Sequence, residues 1–311
     1  MTIARAPGKA ILFGEHAVVY GRPAIAVPVS QVAATAEVSE LAGGAPGEVW
    51  IEAPDIHAGI RLSQAAADDP LALIVRLTLE ALAPIEAPAL RLVVHSTIPI
   101  AAGLGSSAAL SVAIVRALTE HLGRALSPDR QSELAFEVEK LHHGTPSGID
   151  NTVVAFAQPV YYRRGSPPEP LEIRAPIRLV IGDTGHASPT SAAVGHVRER
   201  WQSNRAQTEA IFDAIASVVE RARTIIASNV TAIGPLMDEN QACLERLGVS
   251  SPELDRLITA ARRAGAAGAK LSGAGMGGNM IALVDAVDLS AVEAGLREAG
   301  AVRTMATEVS P

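Results

Sequence analysis

The sequence predicts an α+β fold in two domains. Three observations carry that prediction. Strand and helix patterns are mixed along the chain without the strict alternation of a doubly wound sheet. The stretch Arg163-Arg164-Gly165-Ser166-Pro167-Pro168-Glu169-Pro170 is heavily punctuated by proline and glycine, and it predicts a boundary between residues 1–165 and 171–311. Finally, 311 residues are long enough for two domains or one large one, and 48% hydrophobic with 19% charged content predicts a folded core.

The elements follow in order. Residues 3–13 and 24–38 cluster or alternate β-branched residues and read as strands around a loop at 14–21. Residues 40–70 are rich in Gly, Ala, Pro and Asp, with short strand-like pieces such as 48–52. A helix is predicted over 70–83, then a strand over 89–96 that leads into Pro99-Ile100-Ala101-Ala102-Gly103-Leu104-Gly105-Ser106-Ser107-Ala108-Ala109. An apolar run of helical period, 108–122, follows and stops near Gly123. Residues 128–143 form a second, with Leu134, Val138 and Leu141 on one face. Beyond the boundary, 179–182 reads as strand and 190–228 as one long helix or two. Helices are predicted at 231–247, 252–264 and 288–299, and strands at 268–271 and 279–284. No fixed-period repeat suggests a solenoid.

Composition excludes several classes of function. The formal net charge is −7 and no Lys/Arg block occurs, which argues against nucleic acid or an anionic membrane surface as partner. Aromatic residues are 3% of the chain, too few for a base-stacking platform. Cys243 is the single cysteine, so no internal disulfide or cysteine-rich metal site forms, and a reducing, cytoplasmic setting fits. Arg5, Lys9 and Glu15 interrupt the N-terminal stretch, which lacks the apolar core of a signal peptide. Residues 92–115 carry no formal charge, but Pro99, Gly103 and Gly105 break them, and a membrane span is not expected.

The glycine-serine loop at 99–109 is the most informative segment. A helix start leaves backbone N–H groups unpaired, and its dipole favours negative charge. Gly103 and Gly105 allow close approach of a bulky anion, and Ser106 and Ser107 add hydroxyls. Phosphate is the natural occupant. No Gly-Lys-Ser/Thr follows, so this is not a Walker A loop, and the cation must come from elsewhere.

Lys9 is one source. Taken alone it reads as a surface lysine beside a polar turn, yet a lysine after Gly8 on an apolar strand needs a partner or an opening. Glu139 and Asp150 also have two readings. Alone, they are a solvated helix residue and a turn former. Beside a phosphate loop, Ser107 and Glu139 could hold Mg²⁺ through hard oxygens, and Asp150 could take or orient the proton of an attacking hydroxyl. His142 and His143 are adjacent and do not share a helix face, so structural or substrate-lining roles are favoured over a metal site. Gly273, Gly275 and Gly278 satisfy G-x-G-x-x-G, but a strand follows them where a dinucleotide site needs a helix. They predict a tight turn near a ligand or another backbone segment.

These motifs together resemble the GHMP family of small-molecule kinases. Residues 6–21, 99–109 and 270–278 match its three motifs in order, across most of the chain. Gly14-Glu15-His16-Ala17-Val18-Val19-Tyr20-Gly21 and Pro146-Ser147-Gly148-Ile149-Asp150-Asn151 are most similar to the branch that phosphorylates mevalonate. Galactose-specific members typically carry Thr-Asp-Tyr after the Gly-Glu-His. The resemblance implies ATP-dependent phosphorylation of the C5 hydroxyl of mevalonate. It implies Asp150 as the catalytic carboxylate with Lys9 beside it, and Mg²⁺ on Ser107 and Glu139. Gly103, Leu104, Gly105, Ser106, Ser107 and Ala108 would wrap the ATP phosphates. Glu15, His16 and, from a partial match at 186–190, Thr190 would line the mevalonate pocket. The implied fold is a ribosomal-S5-like N-terminal domain with a left-handed crossover, joined to a ferredoxin-like C-terminal domain, with the active site in the cleft and a homodimer as a compatible assembly. Related reactions on phosphomevalonate or its diphosphate, and a non-catalytic sensor on the same scaffold, are the alternatives. The joint presence of Lys9, Ser107, Glu139 and Asp150 favours catalysis.

Overall fold

The 3–13 strand pattern yields β1 (Thr2–Phe13), which alternates in burial up to Pro7 and is buried without interruption from Gly8. A change from one covered face to two marks the place where the chain passes from one packed unit to another. In the computed structural model, which describes residues 1–83, 88–99, 103–143, 146–186, 190–285 and 289–311, two units divide the chain. The first comprises Met1–Gly8, Val32–Pro99 and Gly105–Ala157, and the second Lys9–Gln31, Ile100–Leu104 and Gln158–Pro311.

In the first unit, the C-terminal half of β2 (Ala24–Glu40) meets β3 (Val49–Ala53), β4 (Ala58–Arg61) and β5 (Leu90–Ser96) in the order β4-β3-β5-β2. β2 and β5 are antiparallel with Ala34 opposite Ser96, whereas β3 and β5 are parallel with Val49 opposite Leu90. A parallel pair needs a crossover, and α1 (Pro70–Leu82) lies on it. α1 starts where the sequence signals it: the Asp69 carboxylate accepts from the Ala72 amide at 2.8 Å and Pro70 opens the helix. α2 (Ser106–His121), α3 (Pro128–His143) and α4 (Ile149–Phe156) follow, each in contact with the other two, and α1 packs on α2 and α3.

In the second unit, residues 24–26 of β2 pair with β6 (Val160–Tyr162), which pairs with β7 (Glu169–Pro170). A separate antiparallel sheet is built from β8 (Ile177–Asp183), β9 (Gly268–Ser272), β10 (Asn279–Leu283) and β11 (Arg303–Val309), in the order β11-β8-β10-β9. α5 (Thr190–Ser203), α6 (Arg205–Ile226), α7 (Gly234–Leu247) and α8 (Pro252–Arg263) precede β9, and α9 (Leu289–Glu298) precedes β11. With α8 and α9 as its helices this is a β-α-β-β-α-β arrangement, the ferredoxin-like topology the family resemblance implies. α8 shows why its pattern was readable. Leu254, Leu257, Ile258 and Ala261 recur at helical spacing and are buried, and Ser251 and Pro252 set the start. Each buried Leu or Ile there contributes roughly 1.5–3 kcal/mol. Among the described residues, no helix is long and apolar enough to cross a membrane.

Candidate active site

The glycine-serine loop of the sequence leads into α2. Gly105 sits at φ 75°, a left-handed conformation that glycine adopts without strain, and Ser106 and Ser107 take the first helical positions with Ala108 buried behind them. Among the described residues, no side chain caps this end. A helix start can offer its leading N–H groups to an acceptor. Glu139 on α3 is buried, and Asp150 stands in the first turn of α4, partly buried. α2, α3 and α4 pack on one another, so the three helices that carry Ser107, Glu139 and Asp150 form one cluster.

No sequence pattern assigns an element to 149–156, yet these residues form α4. Ile149, Thr152, Val153 and Val154 are β-branched and poor helix formers in isolation; packing on α2 and α3 decides the outcome. Two side chains fasten its start. Asn151 Nδ2 donates to the Ser132 carbonyl at 3.1 Å and to Ser132 Oγ at 2.8 Å, and Thr152 Oγ1 donates to the Gly148 carbonyl at 2.6 Å. The residue beside Asp150 is thus anchored to α3.

In the second unit, Lys9 is 3% exposed on β1, and its amide donates to the Leu104 carbonyl at 3.0 Å. The strand and residues 103–104 of the loop are joined there. After Phe13 the chain turns. His16 adopts φ 61° and leads into a short 3₁₀ turn, Ala17–Tyr20. His16 Nε2 lies 2.8 Å from the Ala274 carbonyl, an acceptor only, which assigns the proton to Nε2. Burial holds this imidazole down to about pKa 4, so it is neutral near pH 7. Thr190 opens α5 and is partly buried; residues 187–189 and 144–145, like 100–102, lie outside the described residues, as do the side chains of His142 and His143.

Glu15 is 1% exposed. Its Oε1 pairs with the ammonium of Lys270, and its Oε2 accepts from Asn240 Nδ2 at 3.2 Å. Burial pushes the Glu15 carboxyl up and the Lys270 ammonium down, and each group's opposite charge resists the other's shift. Lys270 and Asn240 carry no role in the sequence-level reading. A signal existed: like Lys9, Lys270 is a lysine inside a strand otherwise made of small and apolar residues.

The 273–278 turn is not a dinucleotide loop, because β10 follows it. It joins two antiparallel strands and meets other backbone: Met276 N–H donates to the Val249 carbonyl at 2.6 Å and Gly278 N–H to the His186 carbonyl at 2.8 Å. Gly275 has φ 80°, and a Cβ there would stand 2.1 Å from the Val249 carbonyl oxygen.

The chain is similar to known proteins in sequence and in backbone. The family model described as the GHMP kinases N terminal domain matches residues 71–158, and that described as GHMP kinases C terminal matches residues 212–302. A mevalonate kinase from Pyrococcus horikoshii is 38% identical over 303 residues, spanning 90% of this chain and 88% of its own. The crystal structure of L. major mevalonate kinase in complex with R-mevalonate superposes with a TM-score of 0.84 at 28% identity, covering 100% of this chain and 96% of that one. The Methanococcus jannaschii mevalonate kinase superposes with a TM-score of 0.86 at 26% identity, covering 99% and 98%.

Proposed function

The chain belongs to the GHMP kinase family, and from that premise we propose that it transfers the γ-phosphate of ATP to the C5 hydroxyl of mevalonate, giving 5-phosphomevalonate and ADP. One observation carries the reading: the likeness to mevalonate kinases runs over nine-tenths of the chain in sequence and over nearly all of it in backbone. Acceptors bearing further phosphates call for additional free cations. Arg22, one of the arginines near the acceptor turn, is engaged by Glu209 and Asp213 and so is not free to meet such a phosphate.

In the mechanism, the 103–108 backbone and the serine hydroxyls hold the ATP phosphates at the start of α2. Asp150 takes or orients the C5 hydroxyl's proton while the hydroxyl oxygen forms its bond to the γ-phosphorus and the bond to ADP breaks. Lys9 lowers the hydroxyl's proton affinity and meets charge on the transferring group. Glu15, His16 and Thr190 bind mevalonate. The donor set fits Mg²⁺. Ser107 and the buried Glu139 offer hard oxygens on two helices in contact, and Mg²⁺ commonly takes one or two protein ligands and completes its shell with phosphates and water. When bound, the ion neutralises phosphate charge. In this reading residues 1–165 carry the nucleotide loop and most acceptor groups, 171–311 supply the rest, and the enzyme works in the cytoplasm, with light scattering to test a homodimer.

The test is ATP consumption with Mg²⁺ against mevalonate, phosphomevalonate, galactose and homoserine, with the product mass determined. Turnover on mevalonate with one phosphate added is the expected result. Turnover on another acceptor alone replaces the substrate assignment, and none on any acceptor, with ATP still bound, replaces catalysis with sensing.

A further inference from the structure

The third glycine motif is unused by the mechanism above, yet it is where the second unit's functional segments are tied. Three rungs join residues 11–16 to residues 270–274. Ser272 Oγ accepts from the Ile11 amide and donates to the Ile11 carbonyl, both at 3.1 Å. Lys270 pairs with Glu15, and the Ala274 carbonyl accepts from His16. A fourth tie comes from α7, where Asn240 Oδ1 accepts from the Gly14 amide at 3.4 Å while its Nδ2 donates to Glu15.

The pleat explains the placement. Lys270 and Ser272 are two apart on β9, so both project from one face, toward residues 11–15. Gly103 approaches the end of the strand, since a Cβ on Gly273 would lie 3.7 Å from the Gly103 carbonyl oxygen. A lysine and a glutamate with no exposed surface are costly to bury and gain little net stability over apolar replacements. Such a pair fixes geometry more than it adds stability. Lys270 Nζ also donates to the Leu271 carbonyl at 2.5 Å, so its head group is held from both sides.

We propose that Lys270 and Asn240 are positioning residues for the acceptor pocket: they clamp the Glu15 carboxylate and so lock the turn at 14–20 that presents His16. The inference rests on the acceptor assignment given above. Neither residue touches the reacting atoms; both act through Glu15 and Gly14.

The experiment uses the full chain and the variants Lys270→Met, Asn240→Ser and Lys270→Met combined with Glu15→Gln. The last removes both buried charges at nearly constant volume and keeps the test valid where Lys270→Met alone fails to fold. Hydrogen exchange of residues 14–20 is followed without substrate, alongside KM for mevalonate and for ATP. We expect exchange in 14–20 to accelerate at least tenfold in each folded variant while β8 is unchanged. We expect KM for mevalonate to rise about tenfold or more, with KM for ATP within about twofold. In the double variant thermal stability returns toward wild type but fast exchange persists. Unchanged exchange at 14–20 in a folded variant overturns the proposal, as does recovery of exchange together with stability in the double variant. A parallel rise of both KM values overturns it too. If the wild-type chain does not phosphorylate mevalonate, the acceptor assignment fails, and the exchange experiment still decides whether the clamp exists.

Discussion

His16 is the residue whose chemistry is most open to measurement. Its folded pKa of about 4 lies below the ordinary 6.5 because the ring is buried. Between those values the unfolded chain binds a proton that the folded one does not. Stability from this group is therefore complete above about pH 6.5 and is lost as pH falls toward 4. The effect is on the order of 3 kcal/mol for a shift of this size. His16→Gln keeps an N–H donor for the Ala274 carbonyl and removes the titration, so denaturant unfolding between pH 7 and 4.5 is expected to flatten in that variant. A wild-type and variant pair with the same pH slope removes His16 as the cause. Asp150→Asn is expected to lower turnover by roughly a thousandfold with ATP affinity nearly unchanged, read by steady-state rates and nucleotide titration. Glu139→Gln is expected to raise the Mg²⁺ concentration for half-maximal rate by about tenfold to a hundredfold, and an unchanged Mg²⁺ titration makes Glu139 a core residue only.

Among the elements, the contrast between α8 and α4 is instructive. α8 has Ser251 and Pro252 at its start and a clean apolar stripe, so local rules suffice. α4 is eight residues long, nearly buried all round and rich in β-branched side chains, and only its neighbours make it a helix. β11 escapes for a related reason. Its strand pairs with β8 across more than a hundred residues of sequence, and its burial is patchy, leaving weak alternation to read. The 273–278 turn carries a prediction of its own. Gly275→Ala adds a Cβ 2.1 Å from the Val249 carbonyl oxygen at a backbone angle that alanine disfavours. It is expected to cost about 2 kcal/mol or more, read from the denaturant midpoint; no loss of stability means the turn moves freely from Val249.

For the whole molecule, the decisive fact is that neither unit is continuous in sequence. The second takes Lys9–Gln31 from near the N-terminus and joins it to Gln158–Pro311. Within it, Tyr20 stacks on Phe212 with ring centroids 4.4 Å apart, Arg22 binds Glu209 and Asp213, and Glu15 meets Lys270. A fragment of residues 158–311 leaves Lys270 with no buried counter-charge and uncovers the Phe212 face. It is expected not to show a cooperative unfolding transition by circular dichroism, and co-expression with residues 1–157 is expected to restore one. A cooperative transition in the isolated fragment defeats that account.

The sequence by itself determined the α+β class, the major helices, the glycine-serine loop that opens α2 and the family, because these rest on local periodicity, glycine and serine placement at a helix start, and motifs in fixed order. The tertiary structure alone decided α4, the division of β1 and β2 between units, and the buried partnership of Glu15, Lys270 and Asn240. Glu15 and Lys270 are separated by 255 residues. A buried lysine announces that it needs a partner, but burial and pairing are properties of three-dimensional packing, and no local rule says which carboxylate will arrive.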